Sequence, residues 1–227
     1  MKRAAELFEF AHRSSSSPLI ETTWSTQSGS EGAMTSVAEC HWEMVVTRQE
    51  AGAWVSVRGP ETRASAAPVP TDAEFFGIQF THGTFMPGIG PGQLVDGALT
   101  LPATSARSFW LAGTAWELPG PENADVFVER LVRAGLLVHD PVVPAALNGE
   151  ADALSTRTVE RRVKRATGLT RGMIRQIQRA ERAVELLSRG IPALDVVRLA
   201  GYADQPHLSR SLKRLVGQTP SQIAVAP

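Results

Sequence analysis

The segment from Gly201 to Pro220, GYADQPHLSRSLKRLVGQTP, constrains the fold of this chain more than any other. Asp204 is a favoured helix N-cap, because its carboxylate accepts hydrogen bonds from free backbone N–H groups of the first turn. Three leucines follow at spacings of four and three, as on one helix face: Leu208, Leu212 and Leu215. Gly217 suits the end of the helix, where positive φ is favoured. The segment is therefore predicted to form a helix with one apolar face and polar, partly basic residues elsewhere.

A shorter helix is predicted just upstream, over Pro192–Ala200, with a proline at its first turn. Gly201, Tyr202 and Ala203 provide the tight link between the two helices. Two short helices joined by a glycine-containing turn, the second of them basic, form a helix-turn-helix.

Helical signals also precede this unit. The residues that would cap and line a first helix are Asn123 or Asp125, then Phe127, Leu131, Ala134 and Leu137. A shorter helix is predicted over Pro141–Leu147, followed by a long turn over Asn148–Leu154. Ser155 is a natural N-cap for a helix over Thr156–Ala166. Together these elements predict a first helix-turn-helix upstream of the one that Asp204 begins.

A long amphipathic helix is predicted between the two units, over Arg171–Arg189. Its apolar residues recur at spacings of four and three: Met173, Ile177, Ala180, Val184 and Leu187. Pro220–Ala224 is predicted to be a last short helix.

The motif at residues 201–214, with Gly-Gln-Thr-Pro at 217–220, resembles the C-terminal signature of AraC-type (arabinose-regulator-like) transcription factors. The resemblance covers roughly Val126–Ile223 and only loosely the N-terminal half. It implies two helix-turn-helix units that the long helix holds at a fixed separation. It also implies a cupin-like β-barrel in the N-terminal half, acting as an effector or partner domain. Arg162 departs from the pattern, since the family more often has an apolar residue there.

The charge distribution fits a division into two parts. The chain of 227 residues has a formal net charge of zero, yet residues 150–227 carry 14 Lys and Arg against 7 Asp and Glu, a net charge of +7. The remainder carries −7. A basic third next to an acidic remainder favours one domain that contacts a polyanion and another with a different role.

The residues before 120 are predicted to be β-rich. Alternation around Trp42–Val46, Trp54–Arg58 and Phe76–Phe80 predicts strands, with a turn over Gln49–Gly52. Leu19–Trp24 is a candidate edge strand. The other segments of this half are an expected loop over Arg63–Pro70, a Gly/Pro loop over Gly83–Gly92, and an element of undetermined type over Leu94–Leu101.

We therefore predict an α+β protein. A β-rich domain over residues 1–120, a cupin-like barrel or a sandwich, would precede an all-α DNA-binding domain over residues 121–227, with a boundary at Pro119-Gly120-Pro121.

Polar side chains on the two recognition helices are the candidate DNA contacts. Arginine binds guanine and glutamine binds adenine in bidentate fashion in the major groove, while other cations contact phosphate. A glutamate among arginines either accepts from cytosine or holds an arginine in place. The predicted residues are Thr156, Arg157, Glu160, Arg161 and Lys164 on the first helix, and Gln205, Ser209, Arg210, Lys213 and Arg214 on the second.

The N-terminal half offers only weak signals for chemistry. Its metal-ligand candidates are His41, Glu43 and His82, with Cys40, but their spacing matches no recognisable cupin metal motif, and no metal site or cofactor is predicted. Cys40 is the only cysteine and is expected to be buried. The aromatic residues of this half are expected to be mostly core, a few of them lining a pocket for a hydrophobic small molecule.

The predicted function is a sequence-specific transcription regulator, not an enzyme, with double-stranded DNA as its partner. Two alternatives stay open: an alkyl-transfer DNA-repair protein, with Cys40 and His41 as its only candidate nucleophile and base, and a constitutive DNA-binding protein without effector. A small-molecule effector, RNA polymerase and a second copy of the chain are compatible partners. The N-terminus does not resemble a signal peptide and no apolar run would span a membrane, so a cytoplasmic location is expected.

Overall fold

The computed structural model describes residues 10–151 and 154–224, and over these residues the protein is α+β, as predicted. Strands of the N-terminal half are β1 (Ala11–Arg13), β2 (Ile20–Ser28), β3 (Gly32–Ser36), β4 (Glu43–Gln49), β5 (Gly52–Arg58), β6 (Ser65–Val69), β7 (Ala73–Phe80), β8 (Thr84–Phe85), β9 (Ala98–Leu101), β10 (Ala103–Ser105), β11 (Ser108–Leu111) and β12 (Thr114–Glu117). A single turn of 3-10 helix covers Pro91–Gln93. The later elements are α1 (Ala124–Arg133), β13 (Val138–His139), α2 (Val142–Leu147), α3 (Thr156–Thr167), α4 (Arg171–Ser188), α5 (Ala193–Leu199), α6 (Gln205–Leu215) and α7 (Pro220–Ala224).

The central element of the N-terminal half is a six-stranded antiparallel sheet with the order β1-β2-β7-β4-β5-β9. β4 lies between β5 and β7, where Met44 is opposite Val57 on one side and Ile78 on the other. These three side chains are fully buried, which explains why the apolar alternation predicted these strands well. Smaller sheets are formed by β10-β11-β12 and by the pairs β13-β8 and β3-β6.

Four predictions for this half were wrong or incomplete. The expected Gly/Pro loop over Gly83–Gly92 contains the short strand β8 and the start of the 3-10 turn. The expected loop over Arg63–Pro70 contains β6, whose five residues pair with β3. The expected edge strand near Leu19 is β2, which lies inside the sheet between β1 and β7. The undetermined segment near Leu101 ends in β9, a true edge strand. The sequence did not predict β6, because its small residues and proline give no alternation of apolar and polar side chains. The strand forms because it pairs with a distant partner.

A first hydrophobic core joins the six-stranded sheet to α1. Trp42 stacks on Phe80 with ring centroids 4.2 Å apart, and Phe127 of α1 meets Trp116 edge to face at 6.1 Å. Leu131 of α1 is also fully buried in this core. The predicted domain boundary at residues 119–121 therefore lies before a helix whose buried face belongs to the first core. That helix also ends earlier than the predicted apolar series, at Arg133.

A second core is formed mainly by α2 to α7. The three predicted leucines of α6 are all buried, with exposures of 0 to 1%. On α4 the prediction was partly shifted: Ile174 and Ala183 are buried, whereas Met173 and Val184 are only half-buried. The buried residues recur at spacings of three and four and form one stripe, which is rotated slightly from the predicted one: Ile174, Ile177, Ala180, Ala183 and Leu187.

The two halves meet at the C-terminal ends of α3 and α6. The backbone N–H groups of Ala38 and Ala64 donate to the carbonyls of Leu215 and Arg214, at 2.7 and 2.8 Å. These carbonyls belong to the last turn of α6, whose final C=O groups lack partners within the helix. The N-terminal half therefore supplies part of the C-terminal cap of α6.

The end of α3 contacts the N-terminal half as closely. The guanidinium carbon of Arg165 lies 5.6 Å from the centre of the Phe85 ring. Gly168 ends α3 with φ of 77°, and a Cβ atom there would lie 2.8 Å from both the carbonyl oxygen of Pro91 and a methyl group of Val95. Glycine is thus required here for two independent reasons, the backbone conformation and the lack of space.

Candidate nucleic-acid interface

The N-terminal end of α6 is fixed by its cap. Asp204 accepts a hydrogen bond from the backbone N–H of His207 at 2.6 Å, as the sequence predicted. The imidazole of His207 packs edge-on against Tyr202, with centroids 5.1 Å apart, and Tyr202 is buried in the turn. The first turn of α6 is therefore held in place while Gln205 remains exposed.

The predicted contact residues of α6 differ in their exposure and in whether they already make hydrogen bonds within the protein. Arg210 is exposed and, among the described residues, has no hydrogen bond or ion pair. Lys213 is exposed and donates to the carbonyl of Gly217 at 3.1 Å, and Arg214 donates to Oε1 of Gln176 at 2.7 Å. Ser209 is half-buried. Arg210 is thus the cation of α6 with the greatest freedom to contact a ligand.

The helix α3 begins in the same way as α6. The hydroxyl of Ser155 accepts from the backbone N–H of Thr158 at 3.3 Å, which confirms the predicted cap. Four of the five predicted contact residues on this helix are exposed: Thr156, Arg157, Arg161 and Lys164. The fifth, Glu160, is half-buried and accepts a hydrogen bond from Nε of Arg171 at 2.9 Å. Glu160 therefore orients an arginine of α4.

Residues 150–224 match the family model described as a helix-turn-helix domain. This range contains both capped recognition helices, α3 and α6, and the long helix α4 between them. Residues 150–224 form a helix-turn-helix domain, and the match supports the resemblance to AraC-type regulators. A domain of this type binds DNA, and the match supports a DNA-binding transcription regulator. No curated protein and no solved structure matches the chain. None of the helices in the described residues is both long and apolar enough to cross a membrane.

Arg162, the departure from the AraC-type pattern, has a partner outside that domain's core. Its guanidinium donates twice to the carboxylate of Asp140, at 2.8 and 2.7 Å. Burial raises the pKa of Asp140, but the hydrogen bonds from Arg162 and the backbone N–H of Val142 outweigh it and lower that pKa overall. Asp140 follows β13, which pairs with β8 of the N-terminal half. The ion pair therefore ties α3 to the segment between the two cores.

Sequence reasoning missed one cation of the AraC-type domain. Arg179 of α4 donates to the carbonyl of Gly201 at 3.1 Å and lies over the Tyr202 ring, 5.4 Å from its centre. With Arg210 and Arg214 it lines a surface hollow of about 370 Å³ between α4 and α6. Three guanidinium groups around one hollow suit an anion such as a phosphate. Nothing in the local spacing of α4 distinguishes Arg179 from its other arginines.

The N-terminal half has a cavity of about 400 Å³ between the six-stranded sheet and the β3–β6 pair. Trp24 and Met34 form part of its apolar lining, and Arg58 and Glu61 are polar groups at its wall. Oε1 of Glu61 accepts from the hydroxyl of Ser36 at 2.9 Å, whereas its buried Oε2 has no hydrogen-bond partner among the described residues. Burial raises the pKa of Glu61. An apolar cavity with a few polar groups is typical of small-molecule sites.

The structure brings together only some of the candidate metal ligands named from the sequence. Glu43 lies elsewhere, because its carboxylate accepts from the indole N–H of Trp24 at 2.9 Å and lies 3.8 Å from Arg58. The ligand atoms of Cys40, His41 and His82 do converge, all within 4.8 Å of one another, so the candidate set was wrong at Glu43. Cys40 is buried, as expected.

Proposed function

We propose that this protein is a sequence-specific transcription regulator whose helices α3 and α6 read adjacent major-groove segments of one duplex. The observation that carries the proposal is the AraC-type match over a region with two capped helices, each with an exposed basic face. Residues at the N-terminal end of a recognition helix contact base edges when the helix enters the major groove. One chain would then engage two segments whose centres lie about one helical turn, roughly 34 Å, apart.

The proposed roles of the side chains follow from their exposure and from the hydrogen bonds that they already make. Arg210 and Arg161 are assigned to base edges, since both are exposed and arginine binds guanine in bidentate fashion. The remaining members of the proposed interface are Thr156, Arg157, Lys164, Gln205, Ser209, Lys213 and Arg214, with Arg179 added as a phosphate contact. Glu160 is assigned a supporting role through Arg171.

We further propose that the β-rich half modulates DNA binding. Its contacts at the ends of both recognition helices support this role, because a change in the N-terminal half would alter how α3 and α6 are held. The cavity lined by Trp24 and Glu61 is the proposed effector site, suited to a small molecule that is largely apolar and carries a hydrogen-bonding group.

Selection from a randomised duplex pool tests the DNA-binding proposal. We expect enrichment of a site that contains two conserved boxes about one turn apart, with affinity that falls as salt rises. Salt-sensitive binding without any enriched sequence would contradict sequence-specific reading.

The two alternative functions require different properties of the protein. A constitutive DNA-binding protein needs no effector, so a screen in which no small apolar compound raises the melting temperature would favour it. An alkyl-transfer protein needs an accessible thiolate, but Cys40 is only 2% exposed, and burial together with the charges of Glu39 and Glu181 raises its thiol pKa. These observations do not favour the alkyl-transfer function, and we do not adopt it.

A further inference from the structure

A cluster of metal-ligating side chains lies where the N-terminal half meets the long helix α4. Sγ of Cys40 lies 3.6 Å from Nε2 of His82 and 4.0 Å from Nδ1 of His41. The carboxylate of Glu181, from the middle of α4, lies within 4.8 Å of the same sulfur atom, in a second group that it forms with Cys40 and Glu39 rather than with the histidines. Cys40, His41, His82 and Glu181 come from three separate segments: the residues before β4, the turn between β7 and β8, and α4.

The separation of Cys40 Sγ and His82 Nε2 matches that of two ligands around one zinc ion. Zinc binds thiolate at about 2.3 Å and imidazole at about 2.0 to 2.1 Å in tetrahedral sites, which puts sulfur and nitrogen ligands roughly 3.6 Å apart. The separation to His82 is 3.6 Å, and the one to His41 is 4.0 Å. The rings of His41 and His82 stack with centroids 4.0 Å apart, so the His41 ring would have to rotate for its Nδ1 to face the same ion as Nε2 of His82.

The surroundings also suit ligand groups. Cys40 is buried and His82 is half-buried. Glu181 has no hydrogen bond or ion pair among the described residues, so its carboxylate is available to a metal.

Glu39 holds the segment that carries two of these residues. Its Oε1 accepts from the backbone N–H groups of Cys40 and His41, at 2.7 and 3.0 Å, and contacts Nδ1 of His41 at 2.7 Å. Metal binding would replace the proton that His41 Nδ1 shares with Glu39, while the two backbone bonds keep the segment in place. Glu39 is therefore a positioning residue for the cluster.

We propose that Cys40, His41, His82 and Glu181 bind one Zn²⁺ ion, or another divalent transition-metal ion with the same preference for nitrogen and sulfur. Thiolate, imidazole and carboxylate are all zinc ligands, and Glu181, which is exposed, would turn towards the histidines to supply the fourth ligand. Because Glu181 belongs to the helix between the two recognition helices, the ion would link the β-rich half directly to the DNA-binding domain. The site is independent of whether the cavity near Glu61 binds an effector.

Cobalt(II) titration of the metal-free full-length chain tests the site without reference to DNA. Cys40 is the only cysteine, so a thiolate-to-cobalt charge-transfer band can arise from no other residue of the chain. We expect this band, with the visible bands of tetrahedral cobalt, to saturate at one ion per chain and to disappear when Zn²⁺ is added. The absence of the band in the wild-type protein would overturn the proposal, whatever the behaviour of the variants.

Variants assign the individual ligands. His82→Ala should weaken Zn²⁺ binding by at least about tenfold, since even residues that only support a ligand cost that much when replaced. Glu181→Gln should weaken Zn²⁺ binding similarly while keeping the thiolate band. Its matched control is Glu185→Gln, one turn further along α4, where the glutamate is exposed and pairs with Arg189. Equal Zn²⁺ affinity in the two glutamine variants would overturn the assignment of Glu181.

Discussion

Replacement of Arg210 by alanine separates base recognition from general attraction to DNA. Arg210 is exposed on α6 and makes no hydrogen bond or ion pair within the described residues. Its removal should therefore change the free energy of unfolding by less than about 0.5 kcal/mol, as for most surface substitutions. A bidentate arginine–guanine contact contributes about 1 to 3 kcal/mol of discrimination, which corresponds to a loss of about 5- to 150-fold in affinity.

The assay is fluorescence anisotropy on the selected site and on a scrambled duplex of equal length. We expect Arg210→Ala to lose affinity for the selected site, to lose little on scrambled DNA, and to relax preference at one base position. Arg107→Ala is the matched control, because it removes one exposed positive charge from the N-terminal half. Equal losses on both duplexes would refute the base-reading role and leave Arg210 as a phosphate contact.

Three further predictions concern how the domain is held together. Asp204→Ala should destabilise the protein by about 1 kcal/mol, measured by urea unfolding, because the cap of α6 loses its acceptor. Leu212→Ala should cost about 2 to 5 kcal/mol and lower the melting temperature, since Leu212 is fully buried. The lowered pKa of Asp140 means that its pair with Arg162 stabilises the fold above the unfolded-state pKa, near 4, and that this contribution is lost as the pH falls through the lower folded-state pKa. Asp140→Asn should thus be less stable than wild type at pH 7, and the difference should shrink towards pH 2; a constant difference across that range would contradict the ion-pair explanation.

The sequence predicted the recognition helices well because their signals are local. Asp204 and Ser155 are capping residues next to the turns they cap, and Leu208 and Leu212 lie on one face at helical spacing. Such features depend on neighbours within a few residues, so the sequence alone was enough to find them.

The parts that the sequence did not predict depend on long-range contacts. The strand β6 pairs with β3 about thirty residues earlier, and its alanines and proline give no alternating pattern. The metal-ligand cluster brings Glu181 to Cys40 across the boundary between the two halves. Glu43, only three residues from Cys40, was the more obvious candidate in the sequence. Its position on strand β4, however, directs it to Trp24.

The contact between the halves is the structural basis of the proposed control of DNA binding. The last turn of α6 is capped by backbone groups from the N-terminal half, and the end of α3 packs against Phe85 and Pro91. The cluster that contains Glu181 lies at the same junction. Both recognition helices thus depend on the β-rich half for their C-terminal ends.

A change in the spacing of the DNA site tests the central claim most directly, namely that one chain uses α3 and α6 together. Once a two-box site is selected, an insertion of about five base pairs, half a helical turn, moves the second box to the opposite face of the duplex. We predict that affinity falls to that of a duplex with a single box. Unchanged affinity after the insertion would contradict simultaneous reading by the two helices.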